Sequence, residues 1–170
     1  TLSLILLLIA ANITCAKAET GHSSADWSVG LAWGEAASRW ELDRGINKLR
    51  PDSWRFTLGK PQLYQWPLSD DWRIELDVEA NVYNWDDPFR DRSISVVSAV
   101  PLFRAITSSD QLDYYLGLGI GVAAMDSDQW MDRELGSHLQ FEDRIELGLR
   151  YYRHQVSLGL SHFSNADIAE

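Results

Sequence analysis

Trp72-Arg73-Ile74-Glu75-Leu76-Asp77-Val78-Glu79-Ala80-Asn81-Val82 alternates at every step between an apolar and a polar side chain. Successive side chains of a strand point to opposite faces. Trp72, Ile74, Leu76, Val78, Ala80 and Val82 therefore make one greasy side, and Arg73, Glu75, Asp77, Glu79 and Asn81 one charged side. The run is as long as a tilted membrane strand, and no helical period fits it. Two further stretches repeat the pattern. Leu112, Tyr114, Leu116, Leu118, Ile120, Val122 and Ala124 oppose Gly117, Gly119, Gly121 and Ala123, small residues that suit a narrow barrel interior. Leu139, Phe141, Ile145, Leu147, Leu149 and Tyr151 oppose Gln140, Glu142, Arg144, Glu146 and Arg150; only Asp143 breaks the apolar face, which reads as a bulge or a strand end.

Weaker runs cover 26–34, 53–66, 93–105 and 155–165, with Pro61 and Pro101 counting against the two in the middle, so the chain holds seven candidate strands. Turn-rich connections fall at 85–88, 107–111 and 126–134, with a longer polar stretch at 34–52. Period two does not distinguish inside from outside, and a soluble lipocalin-like barrel or sandwich would turn the greasy faces inward. The charged faces favour a membrane barrel. Arg73, Glu75, Asp77 and Glu79 on one strand and Glu142, Arg144, Glu146 and Arg150 on another can pair across a small polar interior. Trp27, Trp33, Trp54, Trp66, Trp72 and Trp85, near the run ends, suit interfacial girdles.

At 170 residues and 45% hydrophobic content the chain has the size of one domain, and a formal charge of −10 argues against nucleic acid as a partner. Its mean hydropathy, slightly below zero, excludes a bundle of transmembrane helices but not a barrel. The stretch from Leu2 to Ala11 is apolar but too short to span as a helix, and Ala16-Lys17-Ala18 supplies a small-x-small cleavage pattern. Residues 1–18 are expected to be a signal peptide cleaved after Ala18. It is incomplete at its start, since Thr1 stands where a Met and a basic region belong. Thr14 is a poor neighbour for a lipidated Cys15. The exported part, 19–170, would then hold no cysteine, hence neither a disulfide nor a thiolate zinc site. His22, His138 and His154 lack metal-ligand spacing, so neither a metal nor another cofactor is expected. Bacterial barrels have even strand numbers, which makes the barrel domain 19–170 look incomplete at its C-terminal end, one strand short of eight.

The only arrangement that looks like chemistry is Ser161-His162-Phe163-Ser164-Asn165-Ala166-Asp167. Val156, Leu158 and Leu160 form the apolar face of this run, so an unbroken strand turns His162 and Ser164 outward, about 7 Å apart along the backbone. A neutral imidazole there can take the hydroxyl's proton, provided a third group holds the ring. The bland alternative is that the strand leaves the bilayer here and both residues sit among headgroups.

With Gly119-Ile120-Gly121-Val122-Ala123-Ala124, then Leu135-Gly136-Ser137, Phe141-Glu142-Asp143-Arg144-Ile145 and His162-Phe163-Ser164-Asn165-Ala166 in this order, the chain resembles the lipid A 3-O-deacylases of the PagL type, over about Leu116 to Ala166. The resemblance implies an all-β, antiparallel eight-stranded outer-membrane β-barrel, truncated here to about seven strands, with its active site on the outer wall. It implies a serine esterase that removes the 3-O-linked acyl chain of lipid A, with Ser164 as nucleophile and His162 as general base. The acid it implies is a glutamate at position 176, beyond Glu170, itself a poor substitute; the 170-residue chain is therefore expected to be inactive. Asn165 points to the opposite face and reads as a supporting or oxyanion-side residue. Asp167 stands where the family usually has a glycine whose amide serves the oxyanion, and a negative charge there is unfavourable. Glu142, Asp143 and Arg144 read as mainly structural, with Glu142 and Arg144 an interior pair and Asp143 nearer the surface, and the cluster is a candidate to include a substrate contact. The partners implied are lipopolysaccharide and the outer membrane, with a homodimer as an open candidate. The rivals are a non-catalytic structural or adhesive barrel in the same membrane and a soluble lipid-binding barrel.

Overall fold

The computed structural model describes residues 4–15, 27–38, 52–88, 90–109, 112–131 and 133–165. They form strands β1 (Leu4–Cys15), β2 (Trp27–Ser38), β3 (Asp52–Pro67), β4 (Trp72–Asp87), β5 (Arg92–Ser109), β6 (Leu112–Met125), the short β7 (Gln129–Trp130) and β8 (Arg133–Glu134), β9 (Leu139–Tyr151) and β10 (His154–Ser164). The eight long strands close a barrel in the order β1-β10-β9-β6-β5-β4-β3-β2, and β7 and β8 make a separate hairpin. Every neighbouring pair is antiparallel. The long strands have 12 to 18 residues except β10, with 11. Each is long enough to cross a bilayer at a tilt.

The seven expected strands are β2, β3, β4, β5, β6, β9 and β10. The eighth, β1, is the apolar run assigned to the leader, which lies between β2 and β10 and closes the barrel. Closure satisfies the ladder groups that β2 and β10 would otherwise leave bare, a heavy cost in hydrocarbon.

The faces divide as alternation predicts. Glu75, Asp77, Glu79 and Asn81 of β4 and Glu142, Arg144 and Glu146 of β9 are buried inside, whereas Leu31, Phe56, Leu118, Ile120, Leu147 and Leu158 are exposed on the outer wall. A soluble barrel would have them reversed. Trp27, Trp33, Trp54, Trp66 and Trp72 lie on this wall. Trp85 does not, and its place in a girdle is corrected. It shares the inward parity of Glu79, Asn81 and Tyr83, and is fully buried.

Asp143 marks neither a bulge nor a strand end, a second correction. The ladders of β9 with β6 and with β10 run through it in unbroken register. The irregularity lies at Pro61 instead, where the β3–β4 register shifts between Lys60 and Tyr64 and Gln62 takes φ 54°. There the Gln62 N–H donates to Asp77 Oδ1 at 2.7 Å. Pro101 stays within β5, although the pairs of Val100 and Pro101 drop out of the ladder with β6. Opposite them the strands come so close that a Cβ on Gly121 would stand 2.2 Å from the Ala99 carbonyl oxygen.

Inside, charge closes the lumen. Arg150 and Arg73 hold Glu75 at 2.8 and 2.9 Å. Arg104 pairs with Asp77, with Glu79 at 2.9 Å and with Glu146 at 2.9 Å. Arg144 bridges Glu79 at 2.5 Å and Glu142 at 2.6 Å. Above this network sits an apolar plug of Tyr83, Trp85, Ile94, Val96, Met125, Trp130, Met131, Leu135 and Phe163, to which the 126–138 connection contributes three members.

Connections at one end of the barrel, 68–71, 110–111 and 152–153, are four, two and two residues long; at the other, 39–51, 88–91 and 126–138 are thirteen, four and thirteen. Outer-membrane barrels keep short turns in the periplasm and longer loops outside. By that rule the C-terminal end of β10, at the long-loop end, is the one expected to face outward from the cell. The 16–26 connection, which holds the expected cleavage point after Ala18, is the long one at the short-turn end.

Candidate active site

β10 runs outward as a regular strand from His154, with Gln155, Ser157 and Ser161 buried inside and Val156, Leu158 and Leu160 exposed outside. His162 and Ser164 continue the outward set, each partly exposed, while Phe163 between them is buried in the plug. Both residues thus stand on the outer wall at the outer end of the barrel, two positions apart. Among the described residues, the ring's hydrogen bond goes to Asp143 and not to the Ser164 hydroxyl.

Asp143 is the partner the sequence did not suggest for His162. The two are direct ladder partners across β9 and β10, and Nδ1 lies 3.0 Å from Asp143 Oδ2. A carboxylate only accepts, so the Nδ1–H donates, which leaves the Nε2 lone pair free to take a proton. Parity carried the signal. Asp143 is the one acid on the otherwise apolar outward face of β9, and His162 stands on the neighbouring outward face of β10, which also carries His154 at its other end. A charge facing lipid is costly unless paired.

The flanking residues go inward as read. Glu142 Oε1 accepts from Arg144 and, at 2.5 Å, from the Tyr83 hydroxyl. Asn165 Nδ2 donates to the Leu135 carbonyl at 3.3 Å, close against Gly136, whose φ of +77° favours glycine. Asp167 and Glu170 lie outside the described residues. His138 is occupied with the Met125 carbonyl at 3.0 Å, and His154 lies at the opposite end of β10.

Inward along the wall from His162 and Asp143 runs an open groove of about 690 Å³. Its sides are Phe103, Leu118, Ile120, Ile145 and Leu160, with Pro101 beside them, and Asp143, Arg144 and His162 are its polar members. Such a groove accepts a hydrocarbon chain and offers it almost no hydrogen bond. Serine, imidazole, carboxylate and an apolar trough together suit attack on an ester whose acyl part lies in the membrane.

A family model described as Lipid A 3-O-deacylase (PagL) matches residues 52–170. The chain is 27% identical over 162 residues to Lipid A deacylase PagL of Pseudomonas aeruginosa, covering 95% of this chain and 78% of that one. It is 35% identical over 114 residues to Lipid A deacylase PagL of Bordetella bronchiseptica, covering 65% of this chain and 62% of that relative. In fold it is similar to the crystal structure of the outer membrane enzyme PagL, with a TM-score of 0.58 at 18% identity, covering 95% of this chain and 98% of the other.

Proposed function

This chain belongs to the PagL family of lipid A 3-O-deacylases, and from that premise we propose that it hydrolyses the ester of the 3-O-linked acyl chain of lipid A, with Ser164 as nucleophile and His162 as general base. The observation that carries the assignment is His162, outward beside Ser164 on β10, lining an apolar groove with a carboxylate on the far nitrogen of its ring. Nε2 takes the proton of the Ser164 hydroxyl as Oγ attacks the ester carbonyl. The tetrahedral intermediate collapses, the sugar oxygen leaves with the proton from His162, and the acyl group stays on Ser164. Water, deprotonated by His162, then attacks the acyl ester; the C–Oγ bond breaks, His162 returns the proton to Ser164 Oγ, and the fatty acid is released.

Asp143 holds the Nδ1–H and compensates the positive charge that the ring gains in each transfer. On this reading Asp143 is an orienting acid within the 170 residues, beside the glutamate that the resemblance implies at position 176. Asn165 supports the reaction indirectly, since its side-chain amide is engaged with the Leu135 carbonyl. The substrate needs no extraction, because the pair stands at the level of the outer leaflet and the acyl chain lies along the wall it already touches. The reaction needs no second copy; the homodimer remains a separate proposal, decided by the detergent-corrected mass of the folded protein.

Release of fatty acid from purified lipopolysaccharide tests the assignment. Turnover by the full-length wild-type protein and its loss in Ser164→Ala and His162→Asn support it; equal turnover in both variants rejects it.

A further inference from the structure

Taking Ser164 and His162 as the reacting pair proposed above, we propose that Phe163 is a positioning residue: its ring, seated in the apolar plug, fixes the backbone from which the two outward side chains project. The argument starts from alternation. Residues 161, 163 and 165 point inward around 162 and 164, and each is held by a different body. Ser161 Oγ donates to Glu142 Oε1 at 3.2 Å, at the top of the ionic network. The Phe163 ring meets Tyr83 edge-on at 5.4 Å and Trp85 at 4.9 Å, and is almost fully buried. Asn165 is bonded to the Leu135 carbonyl.

Phe163 occupies the place where such an anchor matters most. Ser164 is the last residue of β10, where it pairs with Phe141 on β9. Strand ends open at little cost, and a nucleophile there needs a side-chain fixture that the ladder does not provide. The plug provides one because it is itself braced. Trp85 packs against Trp130 at 6.3 Å, the Trp130 indole N–H donates to the Asp86 carbonyl at 3.2 Å, and the Met131 N–H donates to Asp87 Oδ2 at 3.1 Å. The end of β4 and the β7–β8 hairpin thereby form a fixed wall against which one ring sets the end of β10.

The test compares Phe163→Ala, Phe163→Leu and Trp85→Leu with wild type, each counted per folded barrel by heat-modifiable migration. A displacement near 1 Å costs up to about 100-fold in rate, so Phe163→Ala and Trp85→Leu are expected to lower kcat about 10- to 100-fold with KM little changed. Phe163→Leu, which refills the seat, recovers most of it. Labelling of Ser164 by a fluorophosphonate, which needs no lipid, slows in the same ratio. Unchanged kcat per folded barrel in both Phe163→Ala and Trp85→Leu, or a change in KM alone, overturns the proposal. Should Phe163→Ala not fold, Trp85→Leu and Phe163→Leu decide it. Failure of the underlying assignment looks different: full turnover in Ser164→Ala, or a wild-type protein that the reagent never labels at Ser164.

Discussion

Asp143 and His162 stand directly opposite each other across the β9–β10 ladder, both on the outer wall, with Nδ1 3.0 Å from Oδ2. Neither residue has a place on a lipid-facing strand by itself; together they make a hydrogen-bonded unit that leaves one imidazole nitrogen free, two positions from Ser164 on the same face. Replacing Asp143 by Asn keeps the shape but offers the ring the wrong partner, and the same swap in serine proteases lowers kcat by about 10⁴-fold. Asp143→Asn is therefore expected to lower kcat at least about 100-fold. Steady-state kinetics on lipopolysaccharide check this, and an unchanged kcat would assign the ring's orientation to another acid.

The wall itself is testable. Leu118 lies near the middle of β6 and is half exposed on the outer face. An arginine at the midplane of a barrel's lipid face costs about 2–4 kcal/mol. Leu118→Arg should destabilise the protein by that amount in urea titrations of barrels folded into vesicles, compared with Leu118→Ala. No difference between the two would place this face in water.

The interior depends on pairing. Arg144 holds Glu79 and Glu142 at 2.5 and 2.6 Å, and all three are buried. Arg144→Met leaves both carboxylates without that partner, and breaking a buried pair from one side costs about 3–5 kcal/mol. The urea midpoint of the folded band should fall accordingly, and adding Glu142→Gln should restore part of the loss. A midpoint that does not move would show that water, not Arg144, satisfies these acids.

The leader assignment and strand β1 involve the same residues. Cleavage after Ala18 predicts that protein isolated from outer membranes begins at Glu19. The N-terminal sequence of the heat-modifiable band decides it: an N-terminus upstream of Leu4 would make β1 a lasting part of the barrel.

Most of the fold was legible because two-residue periodicity and charge placement act strand by strand. Trp72 to Val82 alone separates a charged side from a greasy one, and β9 was bounded at its observed ends, Leu139 and Tyr151. The outward aim of His162 and Ser164 followed from parity with Leu158 and Leu160. What local pattern does not carry is register between strands. Asp143 was visible as an exception on its face, but only the offset of β9 against β10 puts it opposite His162. Trp85 was misplaced in a girdle because nearness to a run end outweighed its inward parity. The apolar run 4–15 has the composition of both a leader and a lipid-facing strand, and composition does not separate the two.

The most direct test of the central claim is the fatty acid released from purified lipopolysaccharide by folded full-length wild-type protein, Ser164→Ala and His162→Asn. The account predicts release of the 3-O-linked chain by wild type, and in each variant a loss of kcat of about 10³-fold or more with the folded band intact. Turnover in Ser164→Ala equal to wild type would contradict it.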